Sequence, residues 1–307
     1  MSDMFKDKII YHGDKNRIDS YLKDVIPFSR SKITANIKNG NISVNGKNIY
    51  PSYLLKEGDE IDVLIKEEEI KILPSFSEKI DFIYKDDDIA IINKRRGMVV
   101  HPSISHYQDS LVNLLLGDED FKFKTDDTFR PGIVHRIDKD TQGLLLVSLK
   151  EENMSFLSSC IKEHLFKREY LALVYGKVKD EYFKIDAPLT KPDCSNKRAN
   201  IDIYDGKEAV THCHLLSTTG KVSLVSCILE TGRTHQIRAH LKYLNHPLVG
   251  DPLYCDIKDD NFTSGQVLTA YKLSIIHPKT RREMTFTCPI DDYFKKALNY
   301  FYGSSLI

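Results

Sequence analysis

Hydrophobic and polar positions fall into two textures along the chain. In the first, NRIDSYLKDVI places Ile18, Tyr21, Leu22 and Val25 at helical spacing. SRSKITANIKNG reads as a second short helix, with Ser29 as its N-cap and Gly40 as its C-terminal stop. NISVNGKNI then sets Asn-Gly between two short runs, which predicts a two-residue hairpin turn. LLKEGDEIDVLI adds a turn and another strand. The sum is two helices on a small hairpin sheet over residues 15–66. Residues 67–78, EEEIKILPSFSE, combine an acidic run with Pro and Ser and predict a linker. The second texture, over residues 79–303, is a series of short β-rich runs broken by turns: IAIINK, GLLLVSL, EYLALVYGKV, KVSLVSCILE and QVLTAYKLSI. Helical patterns are fewer: DSLVNLLLG, NMSFLSSCIKEHL, THQIRAHLKYLN and DDYFKKALNYFYG. The expected class is α+β, a small helical-hairpin domain followed by a mixed, largely antiparallel sheet with flanking helices.

One stretch breaks the pattern. GIVHRIDKDTQGLLLVSL, residues 132–149, sets His135, Arg136, Asp138, Lys139 and Asp140 between two apolar runs. Apolar strands bury themselves and charge resists burial, so this knot calls for a reason. Asp138, in a turn between such runs, is partly desolvated, which alone raises a carboxyl pKa and neutralises it. An arginine beside it would keep it ionised and aimed, and TGRTHQIRAHL offers Arg233 and Arg238.

Composition narrows the partners. At 307 residues the chain is long enough for two or more domains. No apolar run approaches the roughly 18 residues of a membrane span. MSDMFKDKIIYHGDKNR lacks the apolar core of a signal peptide, so the expectation is a cytoplasmic protein with no membrane partner. The six cysteines sit at wide, irregular spacings without a C-x-x-C pair, which argues against a zinc ribbon or a disulfide framework. Basic and acidic residues balance at 44 each. Locally, however, Lys15 to Lys56 carry eight basic residues against Asp19 and Asp24, a net charge of +6. His235 and His240 lie on different faces of a helix. His212 and His214 share a strand face but lack a third ligand at motif spacing, so no metal is expected.

The N-terminal pattern resembles the S4 RNA-binding domain, through RIDSYL, SRSKITANIKNGNISVNGK and LKEGDEIDV. The resemblance implies that Arg30, Lys32, Lys38 and Lys47 face RNA, supplying affinity through phosphate and shape more than base choice. From about residue 79 to 290 the chain resembles the RluA family of pseudouridine synthases. HRIDKDTQGLLLV carries the family signature, and YKDDDIAIINKRRGMVVHPS, KREYLALVYG, GKEAVTH and LETGRTHQIRAHLKYLNHPLVGDPLY follow the family's motif order. The resemblance implies isomerisation of uridine in RNA to pseudouridine, with large-subunit ribosomal RNA or transfer RNA as the partner. The target nucleotide is flipped into a pocket. Asp138 is implied as the catalytic carboxylate, attacking C1′ or removing the 2′ proton, with Arg238 as its ion-pair partner. Tyr170 is implied as the ring that stacks on uracil. Arg136, His135, Thr141, Arg233, His235 and Gln236 are implied as substrate contacts. Such an isomerisation requires no cofactor, and neither G-x-G-x-x-G nor G-x-x-x-x-G-K-[ST] occurs in the chain.

The chain departs from the family pattern in three places. Arg95 and Arg96 replace the usual Pro-Ala, which loosens their loop and adds charge that RNA could use. Gln142 stands where Ser or Thr is usual, and Cys255 where Gly is common. Taken singly, Asp138 could be a turn cap, Tyr170 a core aromatic and Arg238 a structural cation; their joint pattern points to the isomerase. Two other readings compete with it. One is a non-catalytic RNA-binding or ribosome-assembly factor on this scaffold. The other is a nucleosidase, which needs a second carboxylate and has only Asp140 nearby. Nothing in the sequence requires a second copy, so a monomer is expected.

Overall fold

The computed structural model describes residues 4–28, 30–66, 72–102, 106, 108–119, 121, 123, 131–192 and 197–303. The chain divides into two units, Met1–Lys71 and Ile72–Ile307, each with its own core. The first unit contains β1 (Met4–Ile10), α1 (Ile18–Val25), α2 (Arg30–Lys38), β2 (Ile42–Val44), β3 (Lys47–Asn48) and β4 (Glu60–Lys66). Its antiparallel sheet runs β1-β4-β2-β3. Asn45 and Gly46 have φ of 50° and 70°, the positive values that a two-residue hairpin turn needs. Ile18 and Leu22 of α1 and Ile33 and Ile37 of α2 close over Ile42, Val44, Ile61, Val63 and Ile65 of the sheet. One strand was not foreseen. β1 precedes residue 15 and pairs along its whole length with β4; as an edge strand with mostly exposed side chains it carries little hydrophobic signal. Ser29, the expected N-cap of α2, and residues 67–71 of the linker lie outside the described residues.

The second unit contains β5 (Phe82–Lys85), β6 (Ile89–Lys94), α3 (Leu111–Leu116), β7 (Gln142–Ser148), α4 (Met154–Lys162), β8 (Lys167–Tyr175), β9 (Tyr182–Asp186), β10 (Val210–Thr218), β11 (Val222–Leu229), α5 (Gln236–Tyr243), β12 (Leu268–Ile276), β13 (Glu283–Thr287) and α6 (Asp292–Tyr302). The strands form one sheet in the order β5-β6-β7-β12-β8-β11-β10-β9, with β13 beside β12. Only the β7–β12 pairing is parallel among those described, so the sheet is mixed and largely antiparallel, as the sequence pattern implied. All seven residues of β7 are buried. Leu145 and Val147 face one core layer, Leu144 and Leu146 the other, because strand side chains alternate. α3 and α5 cover the first face, with Leu111, Ile237 and Leu241 packed against Leu145 and Ala172. α4 and α6 cover the second, through Leu157 and Cys160 in one cluster and Phe294 and Leu298 in another. Among the described residues no helix is long and apolar enough to cross a membrane.

Gly143 shows how tightly the centre is assembled. Its φ is +124°, and a Cβ there would lie 2.3 Å from the Ala270 carbonyl oxygen, where β7 and β12 meet. The apolar run at 132–134, just upstream, is not a strand; Ile133 makes a single bridge to Val147. Residues 135–138 therefore reach β7 as irregular backbone at the sheet's edge of regular structure.

Candidate active site

Asp138 ends this irregular segment, and its carbonyl accepts the Thr141 N–H at 3.1 Å to close the turn into β7. Its carboxylate accepts a hydrogen bond from Arg238 Nη1 at 3.0 Å. The same guanidinium donates Nε and Nη2 to the two oxygens of Asp251, at 2.7 and 2.8 Å. Side-chain exposure orders the three: Asp251 is 0% exposed, Arg238 5% and Asp138 22%. The carboxylate that reaches the opening is thus the outermost of the chain, and the arginine is fixed from behind. Burial opposes the Arg238 charge, but the hydrogen-bonded Asp251 and Asp138 outweigh it and raise the guanidinium pKa. Asp251 also accepts the N–H groups of Leu253 and Tyr254, at 2.9 and 3.0 Å. The Tyr254 ring lies under the guanidinium, 5.1 Å from its carbon.

Tyr170 lines the same pocket as Asp138 and Arg238, together with Ile137, Leu229, Ile237 and Leu268. Its ring belongs to the core beneath α5, yet among the described residues its hydroxyl makes no hydrogen bond. Burial raises its pKa, with Arg168 opposing and Asp138 reinforcing the shift. The phenol is therefore a neutral, flat wall rather than a base at neutral pH. Behind the Asp138 turn sits Lys94, 1% exposed at the end of β6. Its ammonium donates to the carbonyls of Arg95, Met98 and Lys139 at 2.8 to 2.9 Å, tying the 95–98 loop to the residue that follows Asp138. Burial pushes this ammonium down to about 7, against the pull of Asp138 and Asp140.

The other expected contacts divide. Arg136 and Arg233 are exposed at the pocket rim, held by Thr234 Oγ1 at 2.9 Å and the Glu208 carbonyl at 2.8 Å. His235 lines the pocket in a left-handed conformation, φ 57°, at the N-cap of α5; such strain in a non-glycine residue clusters at functional sites. Its Nδ1 lies 3.2 Å from the Tyr254 hydroxyl. Thr141 and Gln236 line the pocket too, but both are buried and committed. Thr141 Oγ1 accepts from Gln266, and Gln236 joins Thr231, Arg233, Val210 and Thr211. Gln236 therefore fastens the start of α5 to β10 and leaves no group over for substrate.

Three side chains take different work from that expected of them. His135 turns away from the Asp138 pocket, and its Nε2 accepts the Leu146 N–H at 2.9 Å. Burial, then the Arg168 charge, lower its pKa to about 3, so it is a neutral clip on β7. Arg96 is not an RNA-facing charge. Nε donates to Asp291 at 2.9 Å, Nη1 to the carbonyls of Asp140 and Gln266, and the guanidinium lies over Tyr293. Far from loosening its loop, Arg96 pins it to the start of α6. Arg30 is shared with Arg17 around buried Asp19, although half its side chain is exposed. Lys32 lies over the Phe28 ring, Lys38 and Lys47 are exposed, and Arg95 pairs with Glu78. Gln142 fits because it faces away from the pocket, donating to Asn93 and to the Pro289 carbonyl. Asp140 is not among the pocket-lining residues. Asp251 is engaged by Arg238, so among the described residues lining the pocket Asp138 has no second carboxylate of the kind a nucleosidase needs.

The sequence reading missed Asp251, Lys94 and Arg168. Each had a signal: a lone carboxylate in the apolar LVGDPLY, a lysine ending the apolar IINK, and an arginine two residues before Tyr170 on the same strand face.

Residues 88–243 match the family described as RNA pseudouridylate synthase, a span that includes Asp138, Tyr170 and Arg238. The chain is 38% identical over 277 residues to the RNA pseudouridine synthase YlyB of Bacillus subtilis (strain 168), covering 90% of this chain and 91% of that protein. It is 35% identical over 289 residues to the ribosomal large subunit pseudouridine synthase D of Neisseria meningitidis serogroup A, covering 90% and 76%. In fold it resembles human RNA pseudouridylate synthase domain containing 4, with a TM-score of 0.58 at 19% identity over 72% of this chain and 92% of that one. The chain belongs to the RNA pseudouridylate synthase family of RluA type, and it is an RNA-modifying isomerase that makes pseudouridine.

Proposed function

We propose that this isomerase acts on large-subunit ribosomal RNA, with Asp138 as its catalytic carboxylate. The observation that carries the catalytic assignment is the ordered chain from buried Asp251 through Arg238 to the half-buried Asp138, in a pocket that Tyr170 also lines. A carboxylate so held is aimed into the pocket by the guanidinium behind it. A flipped uridine stacked on Tyr170 brings C1′ and the 2′ carbon toward Asp138. Asp138 either attacks C1′ or takes the 2′ proton, and in both courses the N1–C1′ bond breaks. The uracil, kept by the aromatic wall, turns to present C5 to C1′; as the C5–C1′ bond forms, the Asp138 ester to C1′ breaks or the proton returns from Asp138 to C2′, and the C5 proton then leaves while N1 takes one up. Stacking worth roughly 1–3 kcal/mol helps retain the free base between these steps. Exposed Arg136 and Arg233 at the rim hold phosphate or the displaced strand.

Ribosomal RNA as the target rests on the names of relatives in Neisseria meningitidis, at 34–35% identity. The N-terminal unit is proposed as an S4-like RNA-binding module over 15–66, extended by β1, and joined through 67–78 to a catalytic domain over 79–303. Lys38 and Lys47 are its exposed candidates for phosphate contact. Arg30 and Arg95 serve as secondary contacts, since each shares its charge with a carboxylate. The test is tritium release from ribosomal RNA labelled at uridine C5 and taken from cells lacking this gene. Release by wild type and none by Asp138→Asn is expected. Release from transfer RNA alone would move the target, and release by Asp138→Asn would remove Asp138 from the chemistry.

A further inference from the structure

Arg168 has entered so far only as a charge beside His135 and Tyr170, and its surroundings are unusual for an arginine. It lies two residues before Tyr170 on β8, so both side chains point to the same face, about 7 Å apart along the strand. It is 8% exposed. Yet among the described residues no carboxylate lies within ion-pair distance of it. Its one protein hydrogen bond runs from Nη2 to the Glu230 carbonyl at 3.5 Å, the outer limit of such a bond. Nε is buried with no partner at all. The chain makes room for this guanidinium, since a Cβ on Gly232 would lie 2.6 Å from its Nη1.

An arginine cannot shed its proton, and a buried unpaired charge is strongly unfavourable. The neighbouring groups do not supply the missing anion. Arg168 stands between the Asp138 pocket and an adjoining cavity that it lines together with His135, Lys162, His164 and Arg233. Four cations, Arg136, Lys162, Arg168 and Arg233, line that cavity against two carboxylates, Glu208 and Glu230, and Glu230 is already engaged by His212. His135 adds a second donor. Its Nε2 accepts from Leu146, so the neutral ring carries its proton on Nδ1, and that nitrogen is buried without a partner.

We propose that Arg168 seats a phosphodiester of the RNA substrate, the one flanking the target nucleotide, in the cavity adjoining the Asp138 pocket. The anion completes a charge that the folded protein leaves unbalanced. Because Arg168 and Tyr170 share one strand face, base and phosphate are gripped by one rigid element, which fixes the nucleotide's position during base rotation. This rests on the reading that Asp138 and Tyr170 receive the target uridine.

The test uses RNA hairpins around a uridine that the wild-type enzyme isomerises, whichever RNA it comes from. Single neutral methylphosphonates replace the linkages from two nucleotides before to two after the target. Binding and single-turnover tritium release are measured for wild type, Arg168→Met and Arg168→Lys. At one linkage the methylphosphonate is expected to weaken wild type about tenfold or more and to have no added effect on Arg168→Met. Arg168→Lys is expected to keep the sensitivity. The salt slope of binding is expected to fall by about 0.7 to 0.9 in Arg168→Met. Melting of Arg168→Met at or above the wild-type temperature is expected, because the substitution removes an uncompensated charge. If every methylphosphonate multiplies with Arg168→Met as it does with wild type, and Arg168→Lys shows the same additivity, Arg168 holds no phosphate. Asp138→Asn on the unmodified hairpin checks the underlying reading separately: turnover by that variant would sink the reading whatever the phosphate coupling shows.

Discussion

Replacing Asp251 by Asn separates the support of the site from its chemistry. Asp251 is fully shielded, accepts two charge-assisted hydrogen bonds from Arg238 at 2.7 and 2.8 Å, and accepts two backbone N–H groups as well. An asparagine keeps one oxygen but turns an amide N–H₂ toward a donor, in either orientation. It also removes the charge that balances Arg238. Losing one partner of a buried ion pair costs about 3 to 5 kcal/mol, and with Asp138 still present the lower end applies. A loss of about 3 kcal/mol lowers the melting temperature by about 6 to 12 °C in a unit of this size. Asp138→Asn is the contrast. It removes one hydrogen bond from a side chain 22% exposed, so its effect on stability stays within about 1 kcal/mol, while turnover falls by about a hundredfold or more. Thermal melting followed by circular dichroism, beside single-turnover tritium release, measures both quantities on the same samples. If Asp251→Asn melts within about 2 °C of wild type, or if Asp138→Asn is the less stable of the two, the order of support argued from burial is wrong.

Tyr170→Phe is expected to keep substrate affinity within about threefold, whereas Tyr170→Leu loses about 1 to 3 kcal/mol of binding; equal affinities in a filter-binding titration would rule out stacking. Removing residues 1–71 leaves the second unit with its own core intact. The shortened protein is expected to bind RNA more weakly and with a flatter salt dependence, and an unchanged slope would deny the first unit a phosphate-binding role. Asp86 gives a pH test. Burial pushes its carboxyl up, but the Tyr84 hydroxyl, the Ile89 and Asp88 N–H groups and His277 prevail and hold it at about 2. A carboxyl depressed in the fold adds stability above its unfolded pKa and loses it as pH falls toward the folded value. Asp86→Asn is thus expected to lose about 2 kcal/mol at pH 7 and to converge with wild type near pH 2, as read from urea unfolding across that range. A constant difference at all pH values would mean that the effect is packing and not ionisation.

Much of this protein was legible one segment at a time. Periodicity alone located α1, α3 to α6 and the central strands, because those elements bury one face or both and their apolar spacing records it. Asn45-Gly46 and Gly40 announced their turns because few residues tolerate positive φ. Asp138 stood out as a charge among apolar neighbours, and a resemblance in motif order named the reaction. β1 was silent for the opposite reason, since an edge strand with exposed side chains obeys no strong hydrophobic rule. What the sequence could not decide is how each charge is balanced. Arg96 and Arg168 are both arginines beside apolar runs, yet one is locked by Asp291 and two carbonyls while the other has no carboxylate among the described residues. His135 and His235 flank the same catalytic region, and only His235 lines the Asp138 pocket. Asp251 pairs with Arg238 across 13 residues, and Asp138 pairs with it across 100. Hydrophobic burial is a property of a local pattern and survives in one dimension. Charge compensation is a property of distance in space, and only the folded sheet brings these groups within reach of one another.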